Sequence, residues 1–190
     1  MDRILKVIDG VTKDKLVKDI INSLNENQEK SKDWLIEKSK QYFTFFNNPS
    51  VVVAAGWYGH LANKINDNIY TTGEIVSFDK DLKCKRIGQK LYKDIIFTVA
   101  DITYFNIKNY DIIICTSCEH LGQYLIDEFL KRRKKGSLVI LQSNNFFSIE
   151  EHINCHNSVI EFEKTLKLEK ILYRGTLKLD KFDRYMVIGI

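Results

Sequence analysis

Short, unbroken apolar runs alternate with helical stretches through the middle of this chain. The runs are Val51–Ala55, Glu74–Phe78, Ile95–Val99, Asp111–Cys115 and Leu138–Leu141. A continuous apolar run, unlike one in which every second residue is polar, is typical of a strand that is buried on both faces. Strands that are separated by helices need crossover connections, which indicate a parallel sheet. The chain is therefore expected to be an α/β protein with a Rossmann-like, mostly parallel sheet.

The two ends of the chain have different patterns. Apolar residues recur at helical spacing in residues 1–48, which predicts two or three helices that cover a sheet edge or roof a site. Near the other end, Ile171–Leu179 and Arg184–Ile190 predict two strands joined by a short turn, an antiparallel hairpin. We therefore expect a seven-stranded sheet, with an N-terminal helical cap (1–48) and a Rossmann-like cofactor-binding domain (49–190).

Charge and composition limit the classes of partner. The net charge is only +4, and the densest basic run, residues 131–135, is typical of the solvated last turn of a helix, so nucleic acid is only weakly supported as a partner. No apolar run reaches the roughly 18 residues of a membrane-spanning helix. The four cysteines do not suggest a disulfide framework, and this favours a reducing, cytoplasmic location.

The first apolar run leads into a glycine turn, Gly56-Trp57-Tyr58-Gly59, and then into a predicted helix. A buried strand that enters a glycine turn and a helix start is the usual way to bring backbone close to a nucleotide-like ligand. Asp79 follows the second run, 23 residues after Gly56. An acid in that place can accept both hydroxyls of a ribose. The alternative is that Asp79 only caps the next helix.

The third run is followed by Asp101 and Ile102. The Asp101 carboxylate is placed to accept from an adenine amino group, with Ile102 against the ring; the alternative is that Asp101 is a helix cap or an ordinary loop acid. All four histidines follow strand ends (His60, His120, His152, His156). Because ligands of open parallel sheets bind outside the carboxyl ends of the strands, this edge is expected to be a working site.

The glycine turn, the two acids, a polar motif after the fourth strand and the terminal hairpin together resemble the class I S-adenosylmethionine-dependent methyltransferases, over about residues 50–190. The segments GWYG, TSCEHL and LQSN are also similar to small methyltransferase-like proteins of large DNA phages. The resemblance implies that S-adenosylmethionine is the cofactor, with Gly56 and Gly59 at its methionine part, Asp79 at its ribose and Asp101 at its adenine.

Two further residue groups acquire roles from that resemblance. Thr116 is expected to contact the cofactor, and Trp57, inside the turn, is interpreted as a wall between cofactor and acceptor. Trp57 and Tyr58 can stack on a planar substrate, and the alternative is that they pack beneath the N-terminal helices. Ser117 is expected near the amino or carboxylate end of the cofactor, while Glu119 and His120 are expected to act as base or substrate clamps. The alternative for Glu119 is a place in the first turn of the next helix, where acids favour the helix dipole.

The expected function is thus methyl transfer from S-adenosylmethionine to a small-molecule acceptor. Two alternatives stay open: a NAD-type dinucleotide oxidoreductase, and a non-catalytic binding module of the same fold. A zinc site is a further alternative, in which His152, Cys155 and His156 on one helix are joined by His120 or Cys118. Because neither an HExxH motif nor a pair of C-x-x-C units supports a metal site, no metal ligand is assigned.

Overall fold

The computed structural model describes residues 14–69 and 73–190. The part of the helix prediction that falls on residues 1–13 lies outside these residues. The helices are α1 (Asp14–Asn22), α2 (Glu26–Phe43), α3 (His60–Asn68), α4 (Leu82–Leu91), α5 (Gln123–Lys131) and α6 (Val159–Thr165). The strands are β1 (Val51–Ala54), β2 (Ile75–Asp79), β3 (Ile96–Val99), β4 (Ile112–Cys115), β5 (Leu138–Asn144), β6 (Ile171–Lys178) and β7 (Asp183–Gly189).

The strands form one seven-stranded sheet in the order β3-β2-β1-β4-β5-β7-β6. Strands β1 to β5 pair in parallel, whereas β7 runs antiparallel to both β5 and β6. This confirms the predicted Rossmann-like sheet with a C-terminal antiparallel hairpin. Strand order reverses between β1 and β4, and a crevice at such a reversal is where open α/β sheets bind ligands.

The sheet is buried between two helical layers. Alternate residues of β1 and β4 serve the two faces: Val51 and Val53 pack toward α1–α4, while Val52 and Ala54 pack toward α5 and α6. Helix α2 contributes Trp34, Leu35, Ile36 and Phe43 to the first of these cores. The N-terminal helices therefore share the hydrophobic core of the sheet and do more than cover its edge.

Strand β3 departs from the expectation that every central run is buried on both faces. Ile96 and Val99 are 48% and 39% exposed, while Phe97 between them is buried. The reason is position, because β3 is the outer strand on its side of the sheet and has a neighbour only in β2. Leu82, at the start of α4, is likewise 45% exposed.

Two predicted boundaries and one predicted helix in the second half of the chain are wrong. The helix predicted from Glu119 begins at Gln123, because residues 118–120 form a 3-10 turn. Strand β5 continues through Asn144, because its end pairs with Arg184 of β7. No helix carries His152 and His156, which lie in turns and irregular chain before α6.

Ser158 caps α6, since its side chain accepts from the backbone N–H of Glu161. None of the described helices is both long enough and apolar enough to span a membrane.

Candidate functional site

The turn after β1 holds an unusual backbone conformation. Ala55 and Trp57 have φ of 48° and 51°, and Gly59 has φ of 81°. Non-glycine residues rarely adopt the left-handed region, and two in one turn indicate a conformation that the surrounding structure imposes. The turn is fixed by a bond from the Gly56 N–H to the Phe78 carbonyl, 3.0 Å, and one from the Gly59 N–H to the Gly56 carbonyl, 2.9 Å.

The two glycines of the turn are required by close packing. A Cβ on Gly56 would lie 2.1 Å from Ser77 Oγ, and one on Gly59 would lie 2.3 Å from the Phe97 ring. The glycines thus let the turn lie directly on β2 and β3. Packing alone therefore explains why glycine is needed at both positions. The prediction that both residues lie close to a cofactor stays a prediction.

Asp79 at the end of β2 faces this turn. Its Oδ2 accepts from the Trp57 N–H at 3.2 Å, and its Oδ1 accepts from the Asp81 N–H at 3.0 Å. The cap of α4 is Asp81, whose side chain accepts from the Lys83 N–H. The alternative that Asp79 is merely this cap is therefore wrong. Each carboxylate oxygen has a second lone pair, so Asp79 retains acceptor capacity toward a ligand.

A cavity of about 640 Å³ lies between the ends of β1, β2, β3 and β4. Its size is in the range of small-molecule sites. Apart from Ala55, its lining comprises the predicted Trp57, Asp79, Asp101, Ile102, Ser117 and His120, together with Asp19, Phe78, Lys80, Ala100, Leu121, Leu125 and Glu151. The lining combines four acids with several apolar side chains. Most of the residues predicted for a nucleoside therefore meet at one place.

The Asp101 loop is held rigidly at this cavity. Asp101 Oδ1 accepts from the N–H and the hydroxyl of Thr103, and these bonds lower the pKa of Asp101. The guanidinium of Arg132 on α5 donates to the carbonyls of Ile102, Thr103 and Phe105. A neighbouring element thus fixes the loop. No helix begins at Asp101, so its alternative as a helix cap is wrong, although it does close a local turn.

A second cavity, of about 100 Å³, lies beneath the N-terminal helices. It shares Ala55, Trp57, Ser117 and His120 with the larger one. The other lining residues include Gly56, Thr116, Glu119, Lys32 and Arg184. Trp57 therefore borders both cavities, and its ring stacks on Tyr58 with centroids 5.5 Å apart. Gly59 is predicted for the site but lines neither cavity.

Tyr58 lies in the wall of the smaller cavity, but its side chain is buried. Its hydroxyl donates to Asp19 of α1 at 2.5 Å. The sequence left open whether Trp57 and Tyr58 stack on a substrate or pack beneath the N-terminal helices. Both residues pack on the core that includes those helices, and Trp57 also borders both cavities.

A buried ion pair lies below the smaller cavity. Arg184 Nη1 donates to Glu119 Oε1 at 2.6 Å, and both side chains are less than a tenth exposed. Arg184 also donates to the Thr116 carbonyl and to Gln142 Oε1. Gln142 in turn accepts from Ser31 of α2 at 3.0 Å. The network connects the segment after β4 to the C-terminal hairpin and to the N-terminal helices.

The four histidines have different surroundings. The rings of His120 and His152 meet edge to face, with centroids 4.5 Å apart. His156 is buried, 3.3 Å from the Ser143 hydroxyl, and Cys155 contacts Asn144. The predicted His152–Cys155–His156 face does not form, because there is no helix to align it.

His60 belongs to the wall of the smaller cavity. Its ring nitrogens contact the Tyr92 hydroxyl at 2.8 Å and the Glu29 carboxylate at 2.6 Å, and burial lowers the pKa of His60. These contacts join α3 to α2 and α4. His60 is thus a cross-link between helices at the site's border.

Two groups at the site, Arg184 and Lys32, were not predicted from the sequence. Arg184 lies at the start of an apolar strand, and this position is the only local indication in the sequence that its side chain is buried. Lys32 donates to the carbonyls of Ser23 and Gln28, and burial lowers the pKa of Lys32 to about 8. Cys115 and Cys118 do have C-x-x-C spacing, and both thiols are free and buried. The hydrogen bond with Cys115, together with burial, raises the pKa of Cys118, which argues against a nucleophilic role.

The basic run after α5 is largely occupied by contacts within the chain. Lys131 pairs with Glu128, Lys134 pairs with Asp111, and Arg133 donates to the Leu130 carbonyl. Arg132 is engaged by the Asp101 loop, as described above. The run is therefore not a free surface of cations for phosphates.

The sequence matches no protein-family model and no curated protein sequence. Solved structures do match. N-methyltransferase NodS from Bradyrhizobium japonicum has a TM-score of 0.66 at 12% identity, over 88% of this chain and 97% of that one. Magnesium protoporphyrin IX methyltransferase from Synechocystis, with bound S-adenosylmethionine, has a TM-score of 0.62 at 16% identity, over 99% and 89%.

An RNA methyltransferase from Salinibacter ruber in complex with S-adenosylhomocysteine matches with a TM-score of 0.54 at 10% identity, over 84% and 90%. The likenesses span most of each chain, and the proteins named act on different acceptors. The chain therefore has the fold of class I S-adenosylmethionine-dependent methyltransferases.

Proposed function

We propose that the protein binds S-adenosylmethionine in the larger cavity and transfers its methyl group to a small-molecule acceptor. The observation that carries the proposal is the meeting of Asp79, Asp101 and Ile102 on one cavity, at the point where strand order reverses. These three residues follow two different strands. Their convergence supplies acceptors for a ribose and an adenine beside an apolar surface.

The donors and acceptors in the cavity fit an adenosine group. Asp79 keeps lone pairs for the ribose hydroxyls, since each of its oxygens accepts only one backbone bond. Thr103 occupies Oδ1 of Asp101, which leaves Oδ2 for an amino group. Ile102, Leu121 and Leu125 provide apolar contact for a purine ring.

The methionine part would extend from there past Trp57 toward Thr116 and Ser117. Gly56 and Gly59 keep the turn low on the sheet and so leave room above it. Lys32 and Arg184, which line the smaller cavity, provide positive charge for a carboxylate. When bound, S-adenosylmethionine supplies an electrophilic methyl group.

Ser117, Glu119 and His120 are proposed to orient the acceptor. Ser117 and His120 border both cavities, so they stand where cofactor and acceptor would meet. Glu119 is held by Arg184 as a carboxylate. Because Oε1 is already engaged in this ion pair, we assign Glu119 to clamping the acceptor and not to proton abstraction.

A small acceptor is favoured over nucleic acid because the basic run is occupied within the chain. The NAD alternative is disfavoured by topology. Dinucleotide-binding sheets have the strand order 3-2-1-4-5-6, whereas here an antiparallel β7 lies between β5 and β6.

Calorimetry with S-adenosylmethionine, S-adenosylhomocysteine and NAD tests the proposal. We expect the first two to bind and NAD not to bind. Asp79→Ala should weaken the binding of S-adenosylhomocysteine at least tenfold, because a hydrogen-bond acceptor for the ribose is lost. Asp94→Ala, which removes an exposed acid between α4 and β3, is the matched control and should bind like the native protein. If neither adenosyl compound binds, the proposed function is wrong; binding without methyl transfer would favour the non-catalytic module.

A further inference from the structure

Glu119, His120 and His152 form a compact cluster outside the adenosine part of the site. Each offers one ligand atom, and these atoms all lie within 4.8 Å of one another. Two imidazoles and one carboxylate at such spacing form the ligand set of zinc sites that keep an open position. Proximity alone does not make a site, so the orientation of each side chain matters.

Both imidazoles are held in the tautomer that a metal ion needs. His120 Nδ1 lies 3.2 Å from the Glu151 carbonyl, and His152 Nδ1 lies 2.9 Å from the Phe146 carbonyl. A carbonyl oxygen can only accept, so Nδ1 must be the protonated nitrogen in each ring. Nε2 then carries a free lone pair. A ligating histidine typically donates its other N–H in this way.

Glu119 supplies an independent indication of a ligand. Its side chain is only 5% exposed, and Arg184 holds Oε1. Oε2 is buried without a hydrogen-bond partner among the described residues. A buried carboxylate oxygen without a partner is costly, and a bound cation would remove that cost. Arg184 would then orient a ligating carboxylate, as second partners in metal sites do.

We infer that Glu119, His120 and His152 bind one divalent transition-metal ion of the zinc class. The site differs from the His152–Cys155–His156 arrangement considered from the sequence, because Cys155 and His156 face β5. Metal binding at this site requires no S-adenosylmethionine and can be tested without it, although Glu119 and His120 are also the residues proposed to orient the acceptor. The Arg184 guanidinium opposes a cation, so binding is weaker than at a closed four-ligand zinc site. The open position lies beside His120, which borders both cavities.

Titration of chelator-treated protein with ZnCl₂ by calorimetry, without cofactor, tests this inference. We expect one Zn²⁺ per chain, and at least tenfold weaker binding of Mg²⁺, which prefers oxygen ligands. His120→Ala and His152→Ala should each weaken the binding of Zn²⁺ at least tenfold. His120 is exposed, so its variant is expected to fold, and circular dichroism checks this.

Cys155→Ser is the matched control, because Cys155 lies three residues from His152 and is the rival soft ligand. It should leave Zn²⁺ affinity unchanged. The near-ultraviolet and visible spectrum of the Co²⁺ form gives a second measurement, and its near-ultraviolet part should lack thiolate charge-transfer bands. Native protein that binds no Zn²⁺, or histidine variants that bind it as well as native protein does, would overturn the inference.

Discussion

Trp57 combines a strained backbone with a position between two cavities. Its φ is 51°, and its ring borders both the larger and the smaller cavity. Alanine has a Cβ as well, so Trp57→Ala keeps the backbone cost and removes only the ring. We expect the dissociation constant for S-adenosylhomocysteine to rise about tenfold, which is the order expected for loss of one aromatic contact.

Calorimetry measures this change, and Tyr58→Phe is its control. That variant removes the hydroxyl bond to Asp19 but keeps the aromatic stack. Unchanged cofactor affinity in Trp57→Ala, with a lower melting temperature, would assign Trp57 to packing under the N-terminal helices.

Lys32 predicts a particular pH dependence of stability. Burial lowers its pKa from 10.5 to about 8, and Glu29, Asp33, Lys64 and Arg184 act on it with opposing signs. The unfolded chain therefore binds more protons than the folded chain between about pH 8 and 10.5. The contribution of Lys32 to stability accordingly rises with pH through that window and is flat below it.

Urea unfolding of the native protein and of Lys32→Met at pH 7, 8 and 10 measures this contribution. We expect the free energy of unfolding of the native protein, relative to that of Lys32→Met, to increase by on the order of 2 kcal/mol from pH 8 to 10. Lys40→Met on the same helix, at an exposed position, should show no such shift. A flat difference for Lys32→Met would mean that its ammonium group is well solvated.

Phe97 ties three elements together at the edge of the sheet. A Cβ on Gly59, before α3, would lie 2.3 Å from its ring, and a Cβ on Gly88 of α4 would lie 2.2 Å from it. Both Gly59→Ala and Gly88→Ala are therefore expected to destabilise the protein by roughly 1–3 kcal/mol through overpacking. The two sites differ in backbone, because only Gly59 has a positive φ, 81°.

A second change separates these two causes. Phe97→Leu, which makes room at both glycines, should recover most of the loss in Gly88→Ala. It should recover less in Gly59→Ala, since the left-handed backbone strain stays. Thermal unfolding of the single and double variants measures the coupling. Equal recovery at both positions would contradict a backbone contribution at Gly59.

At the scale of elements, local patterns sufficed for the sheet. The central strands were predictable because burial on both faces removes polar residues from the run. Asp79 and Asp101 were predictable as site residues because they directly follow such runs. The Glu119–Arg184 pair was not predictable, because its partners lie 65 residues apart in the chain. The register that joins β5 to β7 creates that contact, and no local pattern records it.

At the scale of the whole molecule, the division of the chain into a helical cap (residues 1–48) and a sheet domain stays a prediction. Leu35 of α2 is fully buried in the same core as residues of β1, β4, β5 and β7. Because that core continues across helix and sheet, we expect α2 and the sheet to unfold in one transition. Leu35→Ala should lower the free energy of unfolding by about 2–5 kcal/mol.

The two tryptophans allow helix and sheet to be followed separately. In a Trp57→Phe background, Trp34 on α2 is the only tryptophan, so its fluorescence reports the N-terminal helices, while circular dichroism reports the whole chain. Leu35→Ala should shift both melting curves together, by roughly 2–4 °C for each kcal/mol. Leu82→Ala, at a leucine that is 45% exposed, should shift neither by more than a degree or two. A fluorescence transition that moves while the dichroism transition stays in place would show that the N-terminal helices unfold as an independent unit.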